Sequence, residues 1–592
     1  MLRDLPRAIR LVFEAAWPLV VATMLLTLAE GILPLASLYC LKLAIDILTD
    51  VSVKGHEQSG GELAVLIGFS GGFYLLHQVV KLAAAYVNEA MSLRVTERTQ
   101  EMIASKANRV ELRYYENPEY FDTLHQAQRE APHRLSRLVG AFSQILRSGF
   151  SFAAIGGLLM FSMHWTAAVV AAAVTLPTLA FRIRYASHLY RWQRCQTGAE
   201  REVGYYEWLL SSTRAAKEAR LFNLGKLFAE RAALLRRKLG SEKLGLARHR
   251  LKAECITQSA AAIAATGVAG FMSLQAWRGV LTVGDVVLNY QAFQRGIIAL
   301  HELAGAISTI YESNLFIGRL FQFLDLPEPH TPGSPRSFPP ALRRGIEFHE
   351  VSFSYGERDV MILDGVSFEI AAGQMVAIVG ENGAGKSTLI KLVCGLYEPT
   401  QGRITIDGID IREFDRRELW DSISVLFQDY GQYFVSAEEN IWFGDIAGVR
   451  SGECVRRAAE QSGADEVIAE MPLGYEQQLG SLFEGGQELS VGQWQKIALS
   501  RAFFRETPII ILDEPSSALD VKAEHDVFQK FRTLTRGRTS IVISHRLSTV
   551  RMADRIFLLN GGRVVEAGSH AELVNSGGLY ADLFETQASS YR

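Results

Sequence analysis

A membrane-embedded all-α domain of six helices followed by an α/β domain is the predicted fold class, and three observations predict it. Six apolar stretches occupy the first half of the 592-residue chain. From Gly345 onward the pattern changes to short β-branched runs alternating with helical periodicity, as expected of a parallel sheet with covering helices. Within that second half, the run Gly380-Glu381-Asn382-Gly383-Ala384-Gly385-Lys386-Ser387-Thr388 stands between an apolar strand pattern (375–379) and a helical one (389–393). Strand, glycine-rich loop and helix start come in the order that a phosphate cradle needs.

The chain is too long for one hydrophobic core, so two or more domains are expected. A net charge of −3 gives no electrostatic case for nucleic acid as a partner. Five cysteines (Cys40, Cys195, Cys255, Cys394, Cys454) are scattered without C-x-x-C spacing, which argues against a disulfide framework or a cysteine metal site.

The apolar stretches cover residues 17–39, 63–87, 148–163, 167–181, 256–277 and 286–310. A span needs roughly 20 apolar residues, and bundled helices can turn the polar positions inward. The short basic N-terminus leads into the first stretch without a cleavage signal and is expected to be retained. The segments after spans two and four are basic, with Arg94, Arg98, Lys106, Arg109 and Arg113 in the first and many more in 182–252. The opposite loops hold little beyond Lys54 and Arg278. That asymmetry places the long loops and both termini in the cytosol, with the helices continuing well beyond the membrane. Glu30, His77, Lys81, Arg147, Arg295, His301 and Glu302 fall at membrane depth; Glu30, Arg295 and Glu302 are the candidates to line a substrate cavity.

Residues 326–340 hold six of the sixteen prolines, the composition of an extended spacer. Expected boundaries are thus a transmembrane domain over 1–325, a linker over 326–344 and a soluble domain over 345–592. In that domain the glycines let backbone N–H groups surround phosphate oxygens, Lys386 supplies a point charge, and Ser387 is placed to ligate Mg²⁺. A second apolar strand pattern (509–512) ends in Asp513, a further Mg²⁺ candidate, and Glu514, placed to orient or deprotonate an attacking water. His545 follows a third strand pattern (540–543).

The run Leu489-Ser490-Val491-Gly492-Gln493, ahead of a helical pattern, resembles the signature motif of the ATP-binding cassette (ABC) family. With the phosphate loop and the Asp513-Glu514 pair, the second half resembles the ATPase domain of ABC transporters, an α/β P-loop NTPase. The resemblance implies ATP and Mg²⁺ as cofactors. It implies adenine stacking on Tyr355, γ-phosphate and Mg²⁺ sensing by Gln428, a D-loop at 517–520 and a switch role for His545. Ser490, Gly492 and Gln493 would meet the nucleotide of a second cassette. Val491 departs from the usual glycine and Lys496 from the usual arginine. One signature and one phosphate loop per chain imply a dimer, either a homodimer or a pairing with a related half-transporter.

Six spans ahead of a cassette resemble the exporter branch, over essentially the whole chain. The run 114–121, with Asn117, Pro118 and Glu119, resembles the first coupling loop of these exporters, and Tyr206 and Trp208 mark the expected second. The resemblance implies ATP-driven export by alternating access across a bacterial inner membrane. A small modified peptide or natural product is the expected cargo; a lipid flippase or a lipophilic-drug efflux pump stays open as the alternative.

Overall fold

The computed structural model describes residues 4–54, 60–116, 118–162, 166–328, 333–355, 360–515, 530–533, 535–544 and 546–589. The chain forms two compact units, one of Met1–Arg109 with Pro118–Leu326 and the other of Val110–Asn117 with Pro327–Arg592. The second unit therefore includes a short piece of the first half of the chain.

Among the described residues, eight helices precede the first strand: α1 (Leu5–Lys54), α2 (Gly60–Arg109), α3 (Leu112–Tyr115), α4 (Pro118–Ser162), α5 (Thr166–Ser211), α6 (Thr213–Leu221), α7 (Leu224–Trp277) and α8 (Val283–Leu324). All but α3 belong to the first unit. A 50-residue helix such as α2 is about 75 Å long, more than twice the ~30 Å hydrocarbon core it has to cross. The four stretches Leu5–Thr49, Gly60–Arg109, Arg134–Ile155 and Leu224–Trp277 are long and apolar enough to cross a membrane. The expected fourth span lies in α5, where the side chains of 166–176 are outside the described residues. The expected sixth forms α8, whose apolar run is interrupted by Arg295, His301 and Glu302.

Helix α1 breaks at Ala16 (φ −149°, ψ 36°), two residues before Pro18, which lacks an N–H and crowds the carbonyl one turn back. Helices α1 and α8 are joined at both ends. Arg7 donates two 2.7 Å hydrogen bonds to Asp325, and Lys42 pairs with Asp285 at 2.7 Å. Asp285 is also half of a capping box with Thr282 that starts α8.

Two sheets stand among the described residues of the second unit. Strands β1 (Gly345–Phe353), β2 (Leu363–Ala371), β4 (Gln401–Ile406) and β5 (Ile409–Asp410) form an antiparallel sheet in the order β2-β1-β4-β5. Strands β3 (Met375–Gly380), β6 (Ile423–Leu426), β7 (Ile509–Asp513), β8 (Thr539–Ile543), β9 (Arg555–Asn560) and β10 (Arg563–Gly568) form the other, ordered β10-β9-β3-β8-β7-β6. Its strands are parallel except the antiparallel edge β10. Every residue of β7 and β8 is buried, which is why these strands read as unbroken apolar runs rather than alternating ones. Ligands of parallel sheets gather beyond the carboxyl ends of the strands, and the ends of β3 and β7, either side of β8, carry the motifs described next.

Candidate nucleotide site

β3 ends at Gly380, and the chain turns through Gly383 (φ 85°) and Gly385 (φ 100°) into helix α9 (Lys386–Val393). Only glycine adopts such φ values without strain, and a Cβ on Gly385 would stand 2.7 Å from Leu363 Cδ2. Lys386 curls over this loop and donates to the carbonyls of Gly380 and Glu381, both at 2.8 Å. Burial lowers the Lys386 pKa from its ordinary value. An ammonium held among backbone carbonyls in a desolvated loop has strong reason to exchange them for phosphate oxygens.

Ser387 Oγ donates to Asp513 Oδ2 at 2.8 Å, joining the first turn of α9 to the end of β7. Asp513 is buried, and burial pushes its carboxyl above the usual range against the relief given by the Ser387 hydroxyl. A hydroxyl and a desolvated carboxylate side by side match the hard-oxygen donor set of Mg²⁺, so these residues fit the ion. Thr388 Oγ1 lies 3.1 Å from the hydroxyl of Tyr355, whose ring meets Phe353 and Tyr397 edge-on. Glu381, Asn382 and Ala384 complete the loop, with Glu381 and Asn382 exposed and Ala384 buried.

Glu514 follows β7 with φ 52°, a left-handed conformation that costs a non-glycine residue about 1–3 kcal/mol unless its neighbours impose it. Three contacts do so. Its N–H donates to Ile543 O of β8 at 2.9 Å, its carbonyl accepts from Gln495 Nε2 at 2.9 Å, and Gln428 Nε2 donates to Glu514 Oε2 at 3.1 Å. Gln428 lies just beyond β6, so adjacent strands deliver Gln428 and Glu514 to one place. Gln495, not anticipated from sequence, sits in the helix Val491–Phe504, which the signature-like run opens.

Ser490 caps that helix by accepting from Gln493 N, and Gln493 Oε1 in turn accepts from Ser490 N at 2.9 Å. Val491 is well exposed, and its carbonyl accepts from Tyr430. Gly492 is half-buried beside it. The extra side chain of Val491 is therefore accommodated at no packing cost within the chain. No hydrogen bond among the described residues joins 490–493 to the phosphate loop. His545, Asn117 and the expected D-loop lie outside the described residues, as do the side chains of Pro118 and Glu119.

A further group emerges from the segment between α2 and α4. Glu116, which ends α3, accepts from Lys391 Nζ at 2.7 Å and from Tyr397 at 2.5 Å. Lys391 belongs to α9 and lies 5.4 Å from the Tyr355 ring centre. The loop segment thereby touches both the phosphate-loop helix and the aromatic platform. In the first unit, Tyr206 is buried against Phe228 and donates to Glu202, while Trp208 stays half-exposed. The short helix α6 follows, leading into exposed Leu221 and Phe222.

Among the helices of the first unit, Glu30 of α1 pairs with Arg147 of α4 at 3.4 Å. Arg147 donates to Gln144 at 2.7 Å, and Gln144 and Ser148 donate to Glu302 of α8 at 2.6 and 2.9 Å. One polar chain thus crosses three helices. Among the described residues, buried Glu30 Oε1, His77 Nδ1 and His301 Nε2 lack a hydrogen-bond partner, and half-buried Arg295 has no ion-pair partner.

The ABC transporter family model matches residues 363–517, the stretch that carries both acidic residues and the phosphate loop. The ATP-dependent lipid A-core flippase of Chromobacterium violaceum is 30% identical over 88% of this chain and 87% of its own. The chain belongs to the ABC transporter family. The Subtilin transport ATP-binding protein SpaT of Bacillus subtilis is 28% identical over 99% of this chain and 94% of its own length. A bacterial Atm1-family ABC exporter solved with ATP bound superposes with a TM-score of 0.81 at 25% identity, over 97% and 99% of the two chains. This ABC transporter is a half-transporter of the exporter type: a multi-pass membrane protein whose ATPase domain couples ATP hydrolysis to transport.

Proposed function

We propose that this exporter carries a small modified peptide out of the cell as a homodimer in a bacterial inner membrane, with its ATPase domain cytosolic. The observation that carries the peptide reading is the likeness to a subtilin transport protein along 99% of the chain. The interhelical polar chain supports it, because Glu30, Arg295, Glu302 and the open histidine nitrogens offer hydrogen bonds that suit a peptide backbone better than an acyl chain. The flippase likeness at 30% identity favours a second reading, in which the cargo is a lipid.

ATP is held by the loop 380–388, with Lys386 on its phosphates and Tyr355 against its base. Ser387, Asp513 and Gln428 would hold Mg²⁺, which would supply charge neutralisation for the phosphates. Glu514, held by Gln428 and Gln495, orients and deprotonates the attacking water, and His545 contacts the γ-phosphate. Ser490, Gly492 and Gln493 close on the nucleotide of the other protomer, so each dimer has two composite sites. Closure reaches the membrane helices through the segment 114–119 and through α6 with its approach at Tyr206 and Trp208. Bound ATP shifts the bundle from inward- to outward-facing only by binding the two states unequally.

Stimulation of ATP hydrolysis by candidate cargoes tests the reading. Modified peptides should raise the turnover of the reconstituted protein above its basal level. Stimulation by lipid headgroup variants with none by peptides would favour the flippase reading.

A further inference from the structure

An apolar pocket lies between three helices of the first unit. Ile9, Val12 and Val20 of α1, Met91 of α2 and Leu138 and Phe142 of α4 line it; the cavity itself is about 30 Å³ and widens to about 400 Å³ with its open mouth. The two hydroxyls on its wall are already satisfied. Thr23 donates to Leu19 O at 2.9 Å, and Ser143 donates to Asn88 Oδ1 at 2.6 Å. A wall without open polar valences does not retain water, which needs two or more polar partners. The break at Ala16 falls in the middle of the α1 wall, so the pocket exists because α1 changes direction there. Trp17 and Phe13 stand exposed beside the break, 65% and 40% accessible, as aromatic residues do at a bilayer interface.

Cations flank the same level. Arg94 lies one turn beyond Met91, and Arg137 immediately precedes Leu138. Both are exposed, and neither has an ion-pair or hydrogen-bond partner among the described residues. The hydroxyls of Ser92 and Ser136 touch between α2 and α4, which brings these two arginine-bearing turns together. Neighbouring arginines on α1 are committed elsewhere, Arg7 to Asp325 and Arg10 to Glu14.

We infer that this pocket is a binding site for one acyl chain of an anionic phospholipid from the cytosolic leaflet, with Arg94 and Arg137 on its headgroup. This rests on the orientation proposed above, which puts the α1 break and the basic turns at the cytosolic face. The bilayer is the medium continuous with an apolar opening at that depth. Two neighbouring arginines without a carboxylate partner select an anionic headgroup over a zwitterionic one. The lipid would brace α1 against α2 and α4 at a break where backbone hydrogen bonding is interrupted. It is a resident of the fold, separate from the exported cargo.

Native mass spectrometry of the full-length protein, mixed with phosphatidylglycerol and phosphatidylcholine of identical chains, tests this. Wild type should retain one phospholipid per protomer, with phosphatidylglycerol preferred. Val20→Phe fills the pocket and should lose most of the retained lipid while keeping a cooperative thermal transition. The surface double variant Arg94→Gln with Arg137→Gln carries no packing risk and should lose the preference for phosphatidylglycerol. Equal retention in Val20→Phe, or an unchanged preference in the arginine variant, would overturn the inference. Release of the lipid during ATP turnover would also overturn it, by making the pocket part of the transport route. Peptide uptake measured on the arginine variant separates the two ideas: uptake with lost lipid preference keeps both, and absent uptake in wild type strikes only the cargo reading.

Discussion

Tyr397 donates its phenolic hydrogen to Glu116 at 2.5 Å, across 281 residues of sequence. Lys391 reaches the same carboxylate from the helix that follows the phosphate loop. A piece of the segment between α2 and α4 is thereby tied to the surroundings of Tyr355 and Thr388, where the aromatic cluster meets the phosphate loop.

If this tie transmits nucleotide state to the membrane helices, Glu116→Gln should lower transport per ATP hydrolysed by about tenfold, the ~1.4 kcal/mol typical of a coupling term. ATP hydrolysis itself should change little. Uptake and phosphate release measured on the same vesicles check this. A parallel fall in both would point to damage of the site instead.

The same carboxylate gives a pH signature. Burial pushes Glu116 up, but the hydrogen bonds from Lys391 and Tyr397 outweigh it and hold its pKa below the ordinary value. A depressed carboxylate contributes stability that is present above the unfolded pKa of about 4.3 and is lost as pH falls through the folded value. Because Glu116 is 40% exposed, the contribution is of order 0.2–1 kcal/mol. The difference in melting temperature between wild type and Glu116→Gln should stay constant down to pH about 5 and vanish at lower pH.

Gln495 holds the main chain of Glu514 in its left-handed conformation. Gln495→Leu removes that bond while keeping volume. A displacement of the proposed general base by even 1 Å can cost about 10²-fold in rate, so kcat should fall steeply with ATP affinity retained. Stopped-flow nucleotide binding beside steady-state hydrolysis separates the two.

The phosphate loop, the Asp513-Glu514 strand end and the signature-like run are legible in the amino-acid sequence, because they are contiguous motifs whose chemistry depends on local spacing. The Ser490–Gln493 capping box is likewise a local pattern, S-x-x-Q ahead of an apolar run. The partners of Glu116 are not legible there, because Lys391 and Tyr397 meet it only once the sheet and α9 have formed. Gln495 is hidden for a similar reason: it bonds a backbone carbonyl, and a carbonyl leaves no mark in sequence. The sequence also marks Tyr206 and Trp208 as a second coupling segment; Tyr206 is buried there, and the separate helix α6 that follows is not legible in the sequence. Helical periodicity alone does not tell a continuing helix from one that ends and restarts.

The capping box gives one more expectation. Ser490→Ala removes the acceptor for Gln493 N and should cost about 1 kcal/mol of stability. Calorimetry of the variant would show it as a lower midpoint. The hydrolysis rate should also fall, because Ser490 is proposed to meet the nucleotide of the second protomer.

Whether ATP hydrolysis at Glu514 drives peptide export is tested most directly in inside-out proteoliposomes. Vesicles holding wild type or Glu514→Gln would be offered a labelled modified peptide and a fluorescent lipid. ATP-dependent accumulation of peptide against its gradient is expected with wild type, and none with Glu514→Gln. Accumulation of peptide by both proteins alike, or of lipid alone, would contradict it.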